Sequence, residues 1–303
     1  AAASASPALA PVCRVYQGFT LWSAAGLVMC CGAAAVDWGD RVGGALGRLV
    51  LPCFLALVVW SGIYAAVSVL LSGGRFTLAA FRAALLSAAR GDTPSHLWIL
   101  YILLGLYLVT PILGRFARSA SRGELLYFLV LAFLFAGLLP VWSALHTNDI
   151  AAQLLARLQV HAVLGYAGCY LGGYYLKTYE ISRFSEFALY LAGAGGIAVT
   201  FWGGRIFGGG DELWFRCASP NAALTAAAFF VLFRYVLTIS EERSRRRQVA
   251  RLGGSALGIY LIHRVFVLIA AHFGLTASSP LPAAVIPPPQ RSADLSALNG
   301  WNG

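Results

Sequence analysis

The chain has 303 residues, 59% hydrophobic and 11% charged, with a mean hydropathy of +0.73. A soluble globular domain carries about 25% charged residues, so this chain has too few charges to cover a water-facing surface. Composition therefore excludes a soluble globular fold and makes lipid the main solvent. The formal net charge of +10 is read as a membrane-orientation signal rather than a nucleic-acid footprint.

Residues 1–17 form a non-spanning N-terminal segment. Its opening, AAASASPALAPVCRV, lacks the basic and apolar regions of a signal peptide, and the sole methionine is Met29. Missing sequence is expected at this end. The polar tail 276–303, with its PLPAAVIPPPQRSADLSALNGWNG ending, suggests the same at the other, and this tail is expected to be disordered.

A crossing helix needs about 20 mostly apolar residues, because hydrocarbon leaves no backbone group a partner. Eight segments qualify: 18–36, 49–71, 97–114, 125–145, 158–176, 185–204, 218–239 and 254–273. The predicted fold is all-α, a polytopic membrane helix bundle with a membrane domain over 18–275. Continuous rather than alternating apolar runs argue against a transmembrane barrel. Segment 185–204 is the weakest, being rich in Gly and Ala. The stretch 76–89 is too short to span, carries Arg82, and reads as an interfacial helix.

Orientation follows the basic residues. One set of loops carries Arg41, Arg115, Arg118, Arg122, Lys177, Arg183 and the run Arg243–Arg251; the other carries Arg14, Arg75, Arg82, Arg90, Arg157, Arg205 and Arg216. The first set is assigned to the cytoplasm, which puts both ends of the chain outside. Cys30, Cys31, Cys53 and Cys169 lie in apolar runs and read as small hydrophobes. Cys13 and Cys217 both fall on the outer side, where a disulfide between them is conceivable. No Cys/His spacing suggests zinc.

Polar groups at membrane depth are expensive and mark candidate sites. His96 opens the third span, and His263 with Arg264 lies in the middle of the eighth. A histidine suits general-base removal of a hydroxyl proton, because its pKa lies near working pH. For His96, an interfacial hydrogen bond at a helix end is an equal alternative. His161 shares a face with Gly165, Gly168 and Gly172, which favours a packing role. Arg48 begins the second span; it is either a snorkelling anchor or a phosphate ligand. Trp98, Tyr101 and Tyr107 have the chemistry to stack a sugar. Acidic residues stay in loops or near span ends, which argues against a proton-driven pump.

Four segments taken together carry more information than any one of them. HLWILYILLGLYLVTPIL, LGGYYLKTYEISR, the Ser219-Pro220-Asn221 triplet and SALGIYLIH, in that order, resemble the acyltransferase 3 family. The resemblance implies an integral membrane enzyme of ten spans, eight of them present here. It implies transfer of an acyl group, commonly acetyl, from acyl-CoA to a hydroxyl of a surface glycan or lipid-linked acceptor. Acetyl-CoA or another acyl-CoA is the donor, no metal is required, and the location is the inner (plasma) membrane of a bacterium. His96 and His263 then orient substrate or support the base, and Arg48 grips the donor's phosphates.

The sequence also departs from the family pattern. The first span, with its histidine, is not in the chain, and the second lacks the usual proline. Ala45 stands where an arginine pairs with Arg48, and Arg264 replaces a proline after SALGIYLIH. Two alternatives accordingly stay open from the residues, a transporter or flippase of a polar lipid or solute and a catalytically dead fragment.

Overall fold

The computed structural model describes residues 10–38, 42–71, 73, 77–89, 97–146, 149–150, 160–217, 219–236 and 245–272. All regular structure among them is helical. In chain order the helices are α1 (Ala10–Thr20), α2 (Ser23–Ala35), α3 (Val42–Leu71), α4 (Leu78–Ala89), α5 (Trp98–Ser119) and α6 (Arg122–Leu145). They continue as α7 (Val160–Thr178), α8 (Arg183–Ile206), α9 (Gly210–Trp214), α10 (Pro220–Tyr235) and α11 (Arg245–His272). Each of the eight expected spans falls on a helix. Among the described residues five helical stretches are long and apolar enough to cross a membrane: Pro11–Ala35, Val42–Leu71, Trp98–Ser119, Arg122–Leu145 and Arg183–Ile206. Large apolar side chains such as Ile112 (72% exposed) and Phe187 (61%) point outward, as a lipid solvent requires.

The chain divides into two compact units, one holding residues 1–16, 54–101 and 241–303, the other 17–53 and 102–240. In the first, Phe81 of α4 lies against Gly62 of α3, and the buried Tyr64 of α3 reaches α11. Helix α4 is the expected short helix. Thr77 caps it, its Oγ1 accepting from the Ala80 N–H at 3.2 Å. Helix α11 begins well before the expected 254, because the basic run ahead of it contains no helix breaker.

In the second unit α2 packs on α7 and α10, α6 packs on α7, and α8 packs on α10. Two of these crossings are set by missing side chains. A Cβ on Gly32 would sit 1.8 Å from the Tyr170 carbonyl oxygen, and one on Gly173 would sit 1.9 Å from that of Met29. The α2–α7 crossing is thus reciprocal, each helix offering a glycine to the other's backbone. The expected Gly168–Gly172 pattern is half right. Gly168 meets Ala132 of α6, whereas Gly173, not Gly172, makes the tight approach to α2. Ala25, Met29 and Ala226 form a small core here, with Trp22 stacked on Phe229 at 4.3 Å.

The weak hydropathy of 185–204 has a packing cause. Gly193, Gly196, Thr200 and Gly203 are the buried stripe of α8. A Cβ on Gly196 would lie 2.6 Å from the Asn221 carbonyl oxygen, and one on Gly193 would lie 2.3 Å from Ala228 Cβ. Small residues replaced apolar bulk there so that α10 can approach.

Three of the basic residues that the positive-inside count assigns to the cytoplasm, together with Arg234, close helix ends. Arg118 donates to the Val36 carbonyl at 2.5 Å and Lys177 to that of Ala33 at 2.8 Å, at the end of α2. Arg122 donates to the Glu180 carbonyl and Arg234 to that of Tyr179, just past the end of α7. Cations at helix C-termini satisfy carbonyls that lack an intrahelical donor and oppose the helix dipole. The same side holds the starts of α6 and α8. Ser121 and Glu124 form a capping box on α6, and Ser182 Oγ accepts from the Ser185 N–H on α8.

Candidate acyl-transfer site

The middle of α3 reads LVVWSGIYAAV, an apolar run in which Ser61 and Tyr64 lie one turn apart on one face. Both are buried, at 4% and 2% exposed. The Tyr64 hydroxyl donates to the Leu261 carbonyl on α11. Ser61 Oγ has no partner among the described residues. These two residues carried no signal in the sequence, because Ser and Tyr are ordinary in an apolar span and the partner of Tyr64 lies 197 positions away.

His263 stands on the same stretch of α11 as Leu261, part-buried, with its Nδ1 against the Tyr260 carbonyl. A carbonyl only accepts, so Nδ1 carries a proton, and in the neutral ring Nε2 then holds the basic lone pair. Such a bond also fixes the ring, as the partner of a working imidazole must. The Tyr260 ring lies 5.6 Å from the imidazole, centroid to centroid. Arg264 is within electrostatic range of Tyr64. One unit thus holds an imidazole and a guanidinium on α11 and two buried hydroxyls on α3, with Tyr64 joined to α11. This set can take a proton, stabilise an oxyanion and bind a hydroxyl.

His96 lies outside the described residues, and so does the side chain of His161. Arg48 belongs to the second unit. It is exposed and sits within Leu46–Val50, where α3 widens to π geometry. Such bulges are frequent at functional sites. Arg48 pairs with no carboxylate or carbonyl among the described residues, in contrast to Arg118, Arg122 and Arg234. Ala45, three residues before it, is buried at 1%, so the departure from the arginine pair falls where the structure is packed.

Tyr107 is half-buried on α5. Its hydroxyl pairs with the Cys31 thiol, next to the Thr110–Tyr170 hydroxyl pair at 2.8 Å. The SPN triplet is a helix start. Ser219 Oγ donates to the Arg216 carbonyl at 2.6 Å and Pro220 occupies the first turn of α10. Asn221 donates to Thr200 Oγ1 at 2.8 Å and to the Trp214 carbonyl at 2.9 Å, which ties α8, α9 and α10 together. The LGGYYLKTYEISR segment supplies Gly173, Tyr175, Lys177 and the Tyr179 and Glu180 carbonyls to which Arg234 and Arg122 donate. Cys13 and Cys217 are free thiols, contrary to the disulfide considered from the sequence.

No curated protein and no solved structure matches the chain. A family model described as an acyltransferase domain, that of acyltransferase 3, matches residues 14–289, nearly the whole length. With its apolar helices, that match makes the chain a multi-pass membrane protein and a member of the acyltransferase 3 family, an acyltransferase that transfers groups other than amino-acyl groups.

Proposed function

We propose that the enzyme moves an acyl group, acetyl in the simplest case, from acyl-CoA to a hydroxyl of a surface glycan or lipid-linked acceptor at the plasma (inner) membrane of a bacterium. The observation that carries this reading is the His263 imidazole. It is held at mid-span by its Nδ1 proton, with Nε2 as its base and Arg264 beside it in sequence.

In this scheme Nε2 takes the acceptor's hydroxyl proton as its oxygen attacks the thioester carbonyl. The guanidinium of Arg264 offsets the charge of the tetrahedral oxyanion. The carbon–sulfur bond then breaks, and the proton held on Nε2 passes to the departing CoA thiolate. Arg48 grips the donor's phosphates from the cytoplasmic side, where bidentate pairing suits a guanidinium. His96 supports or orients the acceptor. No metal has a role in these steps.

The test is transfer of labelled acetyl from acetyl-CoA to glycans in membranes carrying the protein. His263→Gln should lower kcat by about a hundredfold or more, the usual contribution of a general base. An unchanged rate in that variant would remove His263 from the chemistry. Failure of the unaltered enzyme to label any surface glycan or small hydroxyl acceptor would remove the donor–acceptor assignment.

A further inference from the structure

On the side that the basic-residue count places outside, α6 ends in a cluster that the chemistry above does not use. Trp142 is 50% exposed at the last turn. Its indole N–H donates to Asp149 Oδ2 at 2.9 Å. The His146 ring stacks on it with centroids 4.2 Å apart and planes inclined by 20°. His146 Nδ1 lies 3.3 Å from the Trp142 carbonyl, which again puts the proton on Nδ1 and the lone pair on Nε2. One residue back, Val141 is buried against Leu213 and Trp214 of α9, so the turn that carries Trp142 is anchored.

A tryptophan that merely marks the membrane interface turns its N–H toward headgroups or water. Here a carboxylate takes that proton and an imidazole covers one ring face, so the ring is held in a single orientation with half of its surface open. A rigid aromatic plane beside a carboxylate and an imidazole nitrogen matches one ligand class well. The apolar C–H face of a pyranose covers the indole, while its hydroxyls donate to Asp149 and to His146 Nε2.

We infer that Trp142, with Asp149 and His146, is a docking platform for a sugar ring of the acceptor. The inference rests on the glycan-acceptor reading above and names a place on this chain where that acceptor binds. Trp142 is a positioning residue and touches none of the reacting atoms.

The experiment measures binding of the whole protein in phosphatidylcholine nanodiscs to a panel of purified bacterial surface polysaccharides and methyl pyranosides. Acetyl transfer to the same panel is measured in parallel. The variants are Trp142→Ala, Trp142→Phe and Asp149→Asn. Trp142→Ala should weaken binding of the recognised glycan about tenfold or more and raise its KM to match with kcat unchanged, as loss of an aromatic contact does. Trp142→Phe should fall between, and Asp149→Asn should weaken binding while leaving the KM for acetyl-CoA alone. Wild-type affinity in all three variants would overturn the inference, as would a wild-type protein that binds no panel member at millimolar concentration. A change confined to vesicle partitioning would also overturn it, since Trp142 would then be an interfacial anchor. Trp142-dependent binding without acetyl transfer supports the platform and removes the proposed reaction. Transfer with an unaltered KM in Trp142→Ala removes the platform and leaves the reaction standing.

Discussion

Adjacent glycines on α8 give opposite expectations for the same substitution. Gly196 faces α10, and a methyl group there would lie 2.6 Å from both the Asn221 carbonyl oxygen and Thr225 Oγ1. Ordinary contact begins near 3.4 Å, so α10 must retreat by about 0.8 Å, an overpacking that costs about 1–3 kcal/mol. The retreat also strains the bonds that leave α10, from Thr225 to the Gly193 carbonyl (3.2 Å) and from Asn221 to Thr200 and Trp214. Losing one of these adds about 1 kcal/mol. Against this, Ala gains about 1 kcal/mol of helix propensity over Gly. The net expectation for Gly196→Ala is a loss of about 1–3 kcal/mol. Gly195 has nothing within 4 Å of its added methyl, so Gly195→Ala keeps only the propensity gain and should stabilise by about 0.5–1 kcal/mol. Reversible unfolding in mixed micelles, followed by circular dichroism, measures both. Equal effects at the two positions, or a more stable Gly196→Ala, would refute the account of the α8–α10 contact.

Further outcomes follow from other sites. Arg48→Gln should raise the KM for acyl-CoA by about tenfold or more, the value of a charge-assisted bond, with kcat nearly unchanged; steady-state kinetics at saturating acceptor decide it. Ser121→Ala removes the α6 capping box and should lower stability by about 1 kcal/mol, read from the same unfolding curves. Cys217 lies between α9 and α10, outside the spans, and burial pushes its thiol up from the ordinary cysteine value. Because the thiolate is the reactive form, its maleimide labelling should be slower than that of a free thiol peptide at neutral pH. The labelling rate should keep rising with pH after the peptide has levelled off. The stability linked to this group is full at low pH and is lost as pH rises past its unfolded value.

How much could be read from the sequence differs by kind of residue. Long apolar runs announce helices because hydrocarbon allows the backbone little else, and all eight landed on helix. The Ser-x-x-Glu at 121–124 was a readable start signal as well. Which glycine meets a neighbour was not readable, since Gly172 and Gly173 differ by a rotation that depends on where α2 lies. Hydropathy undervalued α8 because a helix that buries glycine against another helix scores poorly on side-chain apolarity. Within the candidate site, His263 and Arg264 stood out as ionisable groups in an apolar run. Ser61 and Tyr64 did not, because burial inside the bundle and, for Tyr64, the contact with α11 far along the chain are set by the fold. Asn221 was visible through its motif, but its ties to Thr200 and Trp214 required the fold.

The collar of Arg118, Arg122, Lys177 and Arg234 bears on how the protein is made as well as on how it stands. Three of its members belong to the set that the positive-inside count assigns to the cytoplasm, and the same side chains close the ends of α2 and α7. On that assignment, direction of insertion and final assembly are recorded in the same side chains. A variant that neutralises them to reverse a helix would lose the lock that the reversed helix needs, so a wrongly threaded chain is also a poorly assembled one.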